Sequence, residues 1–284
     1  MVAQQGKTNM KPLLFLASTL LLHAATYASA ETLTVYAKDN IFGAGRLPGD
    51  DTPSPSGPAN SGANGGGVPP VVFSFTARPG QVLSFSSVTG HIWMGDGPES
   101  GPDGFDHDLN ILSYEGIAGI RTPTTGYLAG VFLDDNVPAG MGPTPLDFSA
   151  SGINFTVLEL ELGQVFFIGD GLSGTGSGAV QQFKVPATAT RLFLGIVDGR
   201  NGQGPGAYDN NGPFPGSSDS TFTASFAITT ALPPCDGAWK NHGEYVSAVA
   251  KAVEQQLAEG LITQEQADEL MSEAGQSDCG KNKK

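Results

Sequence analysis

Between residues 31 and 232, glycine and proline cut the chain into short β-type runs. These fall at residues 33–37, 71–76, 82–87, 127–133, 165–168, 191–197 and 221–228. Several alternate in polarity. Val82, Ser84 and Ser86 oppose Leu83, Phe85 and Ser87, and Thr221, Thr223 and Ser225 oppose Phe222, Ala224 and Phe226. A strand with period two hides one face and wets the other. Many such strands joined by turns pack as two sheets, each hiding one face. The expectation is therefore a mainly β protein, an antiparallel jelly-roll-like β-sandwich over residues 31–232.

Three segments fall outside this pattern. Residues 1–30 read as an export signal, with Lys7 and Lys11 ahead of a short apolar run at 13–22 and Ala28-Ser29-Ala30 before Glu31. Met10 is a second candidate start beside Met1. The apolar run falls short of the roughly 20 residues that cross a bilayer, so no membrane span is expected. Residues 43–70 are rich in glycine, proline and serine and read as a flexible loop. After Leu232-Pro233-Pro234 the composition turns to alanine, glutamate and glutamine, with Val246, Val249, Val253 and Leu257 at helical spacing. Gly260 ends that helix, and Thr263 with Gln266 forms a capping box for a second helix through Ala267, Leu270, Met271 and Ala274. The only two cysteines, Cys235 and Cys279, flank this unit. In an exported chain they are expected to pair, making residues 233–284 a stapled helical hairpin.

The net charge is −14, and cleavage after Ala30 would remove two lysines and no acid, giving −16. Such a chain repels nucleic acid and anionic membranes and suits divalent cations. Residues 198–212 offer the place for one: Asp198, Asn201, Asp209, Asn210 and Asn211 on a glycine-rich backbone. Calcium takes about six to eight oxygen ligands from carboxylates, amides, carbonyls and water. The spacing is not that of an EF-hand, and no glutamate closes it.

Enzyme signatures are thin. The sequence holds no Gly-x-Ser-x-Gly, no phosphate-binding P-loop and no His-Glu-x-x-His. His107 between Asp106 and Asp108 could serve acid–base chemistry, but a polar loop accounts for it. Asp134 and Asp135, read as strand neighbours, would face opposite ways. The expectation is a protein that is not an enzyme.

The run 191–198, followed by Tyr208-Asp-Asn-Asn-Gly212 and by Thr221-Phe-Thr-Ala-Ser-Phe226, resembles the end of the PA-IL-like calcium-dependent galactophilic bacterial lectins. Pro79-Gly80-Gln81-Val82, Gly126-Tyr-Leu-Ala-Gly-Val-Phe-Leu133 and Phe167-Ile168-Gly169 extend the likeness. It covers most of residues 70–230. The resemblance implies a jelly-roll sandwich with one calcium ion at its tip. It assigns the ion to Asp198, Asn210 and Asn211 and to main-chain oxygens of Ala207 and of Trp93 or Met94. It also implies that two sugar hydroxyls complete the shell, contacted by Asp198, Asn210 and Asn211, with His107 holding the sugar's hydroxymethyl group. Trp93, Tyr208 and Phe214 are candidates for stacking on the sugar. The family often forms homo-oligomers to gain avidity.

This chain departs from the family in a longer loop before Ala207, an insertion at 213–220 and no clear glutamine partner for His107. Two readings of function therefore stand: a secreted calcium-dependent lectin for galactose-type glycans, or an extracellular structural protein that calcium only stabilises and whose partner is another protein.

Overall fold

The computed structural model describes residues 30–46, 67–77, 80–95, 98–174, 176–199, 208, 211–212, 220–230, 232–235, 237–258 and 264–281. The chain is mainly β. Its first strands are β1 (Glu31–Tyr36), β2 (Val71–Ser74), β3 (Gln81–Met94), β4 (Glu99–Ser100) and β5 (Phe105–Ile111). Next come β6 (Ile120–Thr125), β7 (Leu128–Leu133), β8 (Leu146–Asp147), β9 (Val157–Glu159) and β10 (Val165–Phe167). The last are β11 (Gln182–Lys184), β12 (Arg191–Ile196), β13 (Asn211–Gly212) and β14 (Thr221–Thr230). Helix α1 (Phe148–Ser151) is one turn, while α2 (His242–Ala258) and α3 (Gln264–Gln276) form the C-terminal pair. Among the described residues no helix is long and apolar enough to cross a membrane.

Three sheets result. The first has the order β1-β14-β3-β11-β9, with β4 and β13 also paired to β3; the second is β10-β7-β12-β2 and the third β5-β6-β8. Pairing is antiparallel except for β11 with β9 and β6 with β8. One core lies between the first and second sheets, where Phe85, Phe183, Phe222 and Phe226 meet Phe132, Phe166, Leu192 and Leu194. Another covers the opposite face of the second sheet, where Val131, Phe167 and Phe193 meet Leu109, Ile111, Ile120, Ile41 and Phe42.

The middle sheet therefore departs from the expected single buried face. Every residue of β7 and β10 is buried. Leu-Ala-Gly-Val-Phe-Leu and Val-Phe-Phe are unbroken apolar runs, which is what burial on both faces requires. Packing is tight enough that a Cβ on Gly130 would sit 2.4 Å from the Phe166 ring.

Strand β3 also changes its phase. Leu83 and Phe85 point into the core, but beyond them Val88, Ile92 and Met94 do. The switch lies at Ser86. Ser225 pairs with Ser87 and Phe226 with Phe85, so Ser86 is an extra residue in a β-bulge. One inserted residue inverts a period-two pattern and bends the strand. A second bulge lies in β5, between Asp106 and Leu109, opposite Pro123, which has no N–H to offer the ladder.

The stretch from 43 to 70 is packed at both ends. A 3-10 turn, Ile41–Gly43, is buried with Ala44. Asn40 N–H donates to Val68 O at 2.9 Å, and Val68 N–H to Lys38 O at 2.9 Å. The central part expected to be flexible lies outside the described residues.

In the hairpin, Tyr245, Val249 and Val253 pack on Ala267 and Ala274, beside the Cys235–Cys279 disulfide. The pairing expected from the two cysteines is present. Trp239 meets the Tyr245 ring edge-on at 5.7 Å. Gly260, Thr263 and the Gln266 side chain lie outside the described residues.

Candidate functional site

Of the residues singled out in the sequence, Met94, Asp198, Tyr208 and Asn211 lie at neighbouring strand ends of the first and second sheets. Strand β3 runs three residues past His91, its last residue paired with β14, to Met94. There β13 pairs with it, Asn211 opposite Met94 and Gly212 opposite Trp93. Strand β12 ends at Ile196, and Asp198 follows two residues later, 9% exposed. The link between these ends is Tyr208, whose ring is fully buried. Its hydroxyl donates to Ile196 O at 2.7 Å and accepts from Asp198 N–H at 3.0 Å. Burial first, and then the Asp198 charge, raise the phenol pKa well above its ordinary value, so the hydroxyl keeps the proton it donates.

Asn211 is 2% exposed. Its main-chain N–H donates to Tyr208 O at 3.2 Å, and its side-chain Nδ2 donates to Ala37 O at 3.0 Å. Those bonds fix the amide plane. Its Oδ1 is buried and has no hydrogen-bond partner among the described residues. A buried acceptor left this way costs about 1–3 kcal/mol, so such an atom calls for a ligand.

The wall behind Asn211 is the turn after β1, which the sequence reading missed. Asp39 is 3% exposed; its N–H donates to Tyr36 O at 2.9 Å, and its Oδ2 accepts from Tyr36 N–H at 2.7 Å. Burial raises its pKa to about 7, against the lowering effect of that hydrogen bond. Asp39 O accepts from Ile196 N–H at 2.7 Å. This close approach needs Gly195, where a Cβ would lie 2.7 Å from Asp39 O. The available signal was the polar Lys38-Asp39-Asn40 run directly after the β-type run 33–37.

Asp198, Met94 and Asn211 thus belong to neighbouring strand ends, while Ala207 and Asn210 lie outside the described residues. Trp93 is half-buried on the β3 face opposite Met94, with its main-chain N–H donating to Ser220 Oγ at 3.0 Å. His107 is exposed on β5, in the third sheet, and is therefore on a strand rather than in a polar loop. Tyr208 cannot stack on a sugar because its ring is wholly buried; Phe214 lies outside the described residues. Asp134 and Asp135 sit in the turn after β7 rather than in a strand. Asp134 accepts from Asn136, and Asp135 from Thr190 Oγ1 at 2.6 Å.

Among the described residues no three His, Cys, Asp or Glu side chains gather to hold a metal. Among the described residues the strand ends offer the Asp198 carboxylate with the Asn211 amide and main-chain oxygens, a donor set of the hard kind that suits calcium. No known protein family, curated protein or solved structure matches this chain.

Proposed function

We propose that this chain is an exported, calcium-dependent carbohydrate-binding protein, lectin-like, with galactose-type glycans as its first class of ligand. The observation that carries the reading is the buried Oδ1 of Asn211, without a hydrogen-bond partner among the described residues, on a residue opposite Met94 and linked through Tyr208 to Asp198. In this reading Asp198, Asn210 and Asn211 hold the ion together with the main-chain oxygens of Ala207 and Met94. Calcium, when bound, supplies a centre that accepts two neighbouring hydroxyls of a sugar and so reads their relative orientation. The rest belongs to the chain. Ala37 O fixes the Asn211 amide by accepting from its Nδ2, and the Tyr208 hydroxyl holds the backbone at Asp198. The Asp198 carboxylate contributes charge and accepts a hydrogen bond from a sugar hydroxyl.

The test is the thermal midpoint of the mature protein in calcium or EDTA, with and without galactose. A ligand at a hundred times its Kd stabilises the folded state by about 2.7 kcal/mol. The expected result is a calcium-dependent rise that galactose increases and that Asp198→Asn and Asn211→Ala both remove. A midpoint indifferent to calcium overturns the cation site. A calcium rise with no galactose increment overturns the galactose assignment.

A further inference from the structure

The outer face of the first sheet carries a regular array of hydroxyl groups that the calcium reading does not use. Three neighbouring strands, β1, β14 and β3, align there in fixed register. Thr32 lies opposite Ser225 and Ser225 opposite Ser87; two residues along, Thr34 lies opposite Thr223 and Thr223 opposite Thr89. The next rung is Tyr36, Thr221 and His91. The intervening residues, such as Val35, Phe222, Ala224 and Val88, point into the core. All nine outward positions are exposed or half-buried, and Tyr36 is 56% exposed.

Two features set this face apart. Threonine suits exposed strand positions, but an edge strand such as β1 is ordinarily guarded by charge, above all lysine. Here none of the nine positions is Lys, Arg, Asp or Glu, on a chain of net charge −14. The second feature is periodicity. Strands stand about 4.8 Å apart, and alternate residues along a strand about 6.8 Å apart, so the hydroxyls form a two-dimensional lattice. Thr32 Oγ1 and Ser225 Oγ are already linked at 3.0 Å, and each hydroxyl retains further bonding capacity.

We propose that this face is a metal-independent platform for a neutral, extended polysaccharide running across the strands. Glu99 Oε1 lies 3.1 Å from His91 Nε2 at the rim, but the other eight positions carry only hydroxyls and so select an uncharged, hydroxyl-rich ligand. Repeating rungs select a repeating one, since the strand spacing is close to the advance of one sugar unit along an extended glycan. Sheet twist selects a chain over a crystal face. Adjacent strands rotate by roughly 20–25°, so a flat lattice would touch only part of the array while a single glycan chain can follow it. The exposed ring of Tyr36 at one end offers a stacking surface for a sugar.

The experiment is native affinity electrophoresis of the mature protein through gels containing hydroxyethyl cellulose, a neutral β-linked glucan, with EDTA throughout. EDTA separates this surface from the calcium site, so either reading can fail alone. Retardation by the glucan is expected, with loss of retardation in Thr34→Glu/Thr223→Glu and its retention in Thr34→Ser/Thr223→Ser, which keeps the hydroxyls. Circular dichroism of the Glu variant must match the parent; if it does not, Thr89→Glu replaces it. Absence of retardation in the parent, or retardation unchanged by the Glu substitutions, overturns the proposal. Inhibition of ice recrystallisation without glucan retardation also overturns it and assigns the lattice to a crystal surface.

Discussion

The middle sheet and the C-terminal hairpin solve the same problem by different means. Strands β7, β10 and β12 are covered on both faces, so they draw stability from two cores at once. The hairpin has two helices and a small core of Tyr245, Val249, Val253, Ala267 and Ala274. So few buried side chains bury little area, and helices of 17 and 13 residues are marginal without packing. A disulfide closing 44 residues makes up the difference by restricting the unfolded chain. A large core tolerates the absence of a covalent link, whereas a small one depends on it.

The sharpest way to break this contrast is to empty the larger core. Phe166 sits 5.5 Å from the Phe132 ring and 5.1 Å from the Phe183 ring. Phe166→Ala is expected to destabilise the sandwich by about 3–5 kcal/mol in urea unfolding, because the cavity it leaves is hemmed in by rings and by β7. The hairpin's helical signal should persist through that transition; simultaneous loss of both signals would show that the two regions unfold as one.

The second substitution addresses the staple. Cys235→Ser/Cys279→Ser, read by circular dichroism against temperature, is expected to lower the helical transition by about 2–4 kcal/mol and leave the β transition in place. A hairpin that keeps its midpoint would place its stability in the Trp239–Tyr245 contact instead.

The smallest expected effect is confined to one region and depends on pH. Asp39 is held protonated up to about pH 7 in the folded sandwich, against an ordinary value of 3.8. Between those values the folded state binds a proton that the unfolded chain has released, so stability falls as pH rises and levels off above about 7. Asp39→Asn removes this penalty. Its advantage over the parent should be absent below pH 4 and grow to something on the order of 2 kcal/mol by pH 7.5. Denaturation at several pH values measures it, and the hairpin transition should show no such difference.

Seven of the fourteen described strands, β1, β2, β3, β7, β10, β12 and β14, were legible because alternation and glycine-bounded runs are local properties. The short β4, β8, β9, β11 and β13 and the β5–β6 pair were not. Helix α2 was legible by its local pattern too, its Val249 and Val253 falling on the buried stripe that their spacing implied. Double burial of the middle sheet was half legible: the unbroken run at 128–133 carried the signal, but which layer covers its second face depends on β5 and β6. In β3 the alternation was readable as far as Phe85 and then misleading, because the inserted Ser86 shows only against its partner strand.

The candidate site divides in the same way. Asp198, Asn210 and Asn211 stood out by residue type in one glycine-rich loop, and that much needed only the sequence. Asp39 did not, since an aspartate in a turn looks the same whether wet or buried. Nor could the sequence reveal that Asn211 would lie opposite Met94 with its amide turned by Ala37 O, or that Tyr208 would be a strut rather than a stacking ring.

What the sequence determined by itself was the longer strands and the C-terminal helical pair, the one disulfide its two cysteines allow and the polar character of the 198–212 loop. Only the tertiary structure decided register, layer order and which polar atoms were left without partners. The physical reason is that periodicity is written over a few consecutive residues, whereas pairing and burial are fixed by contacts between segments distant in the chain, as far apart as β1 and β14.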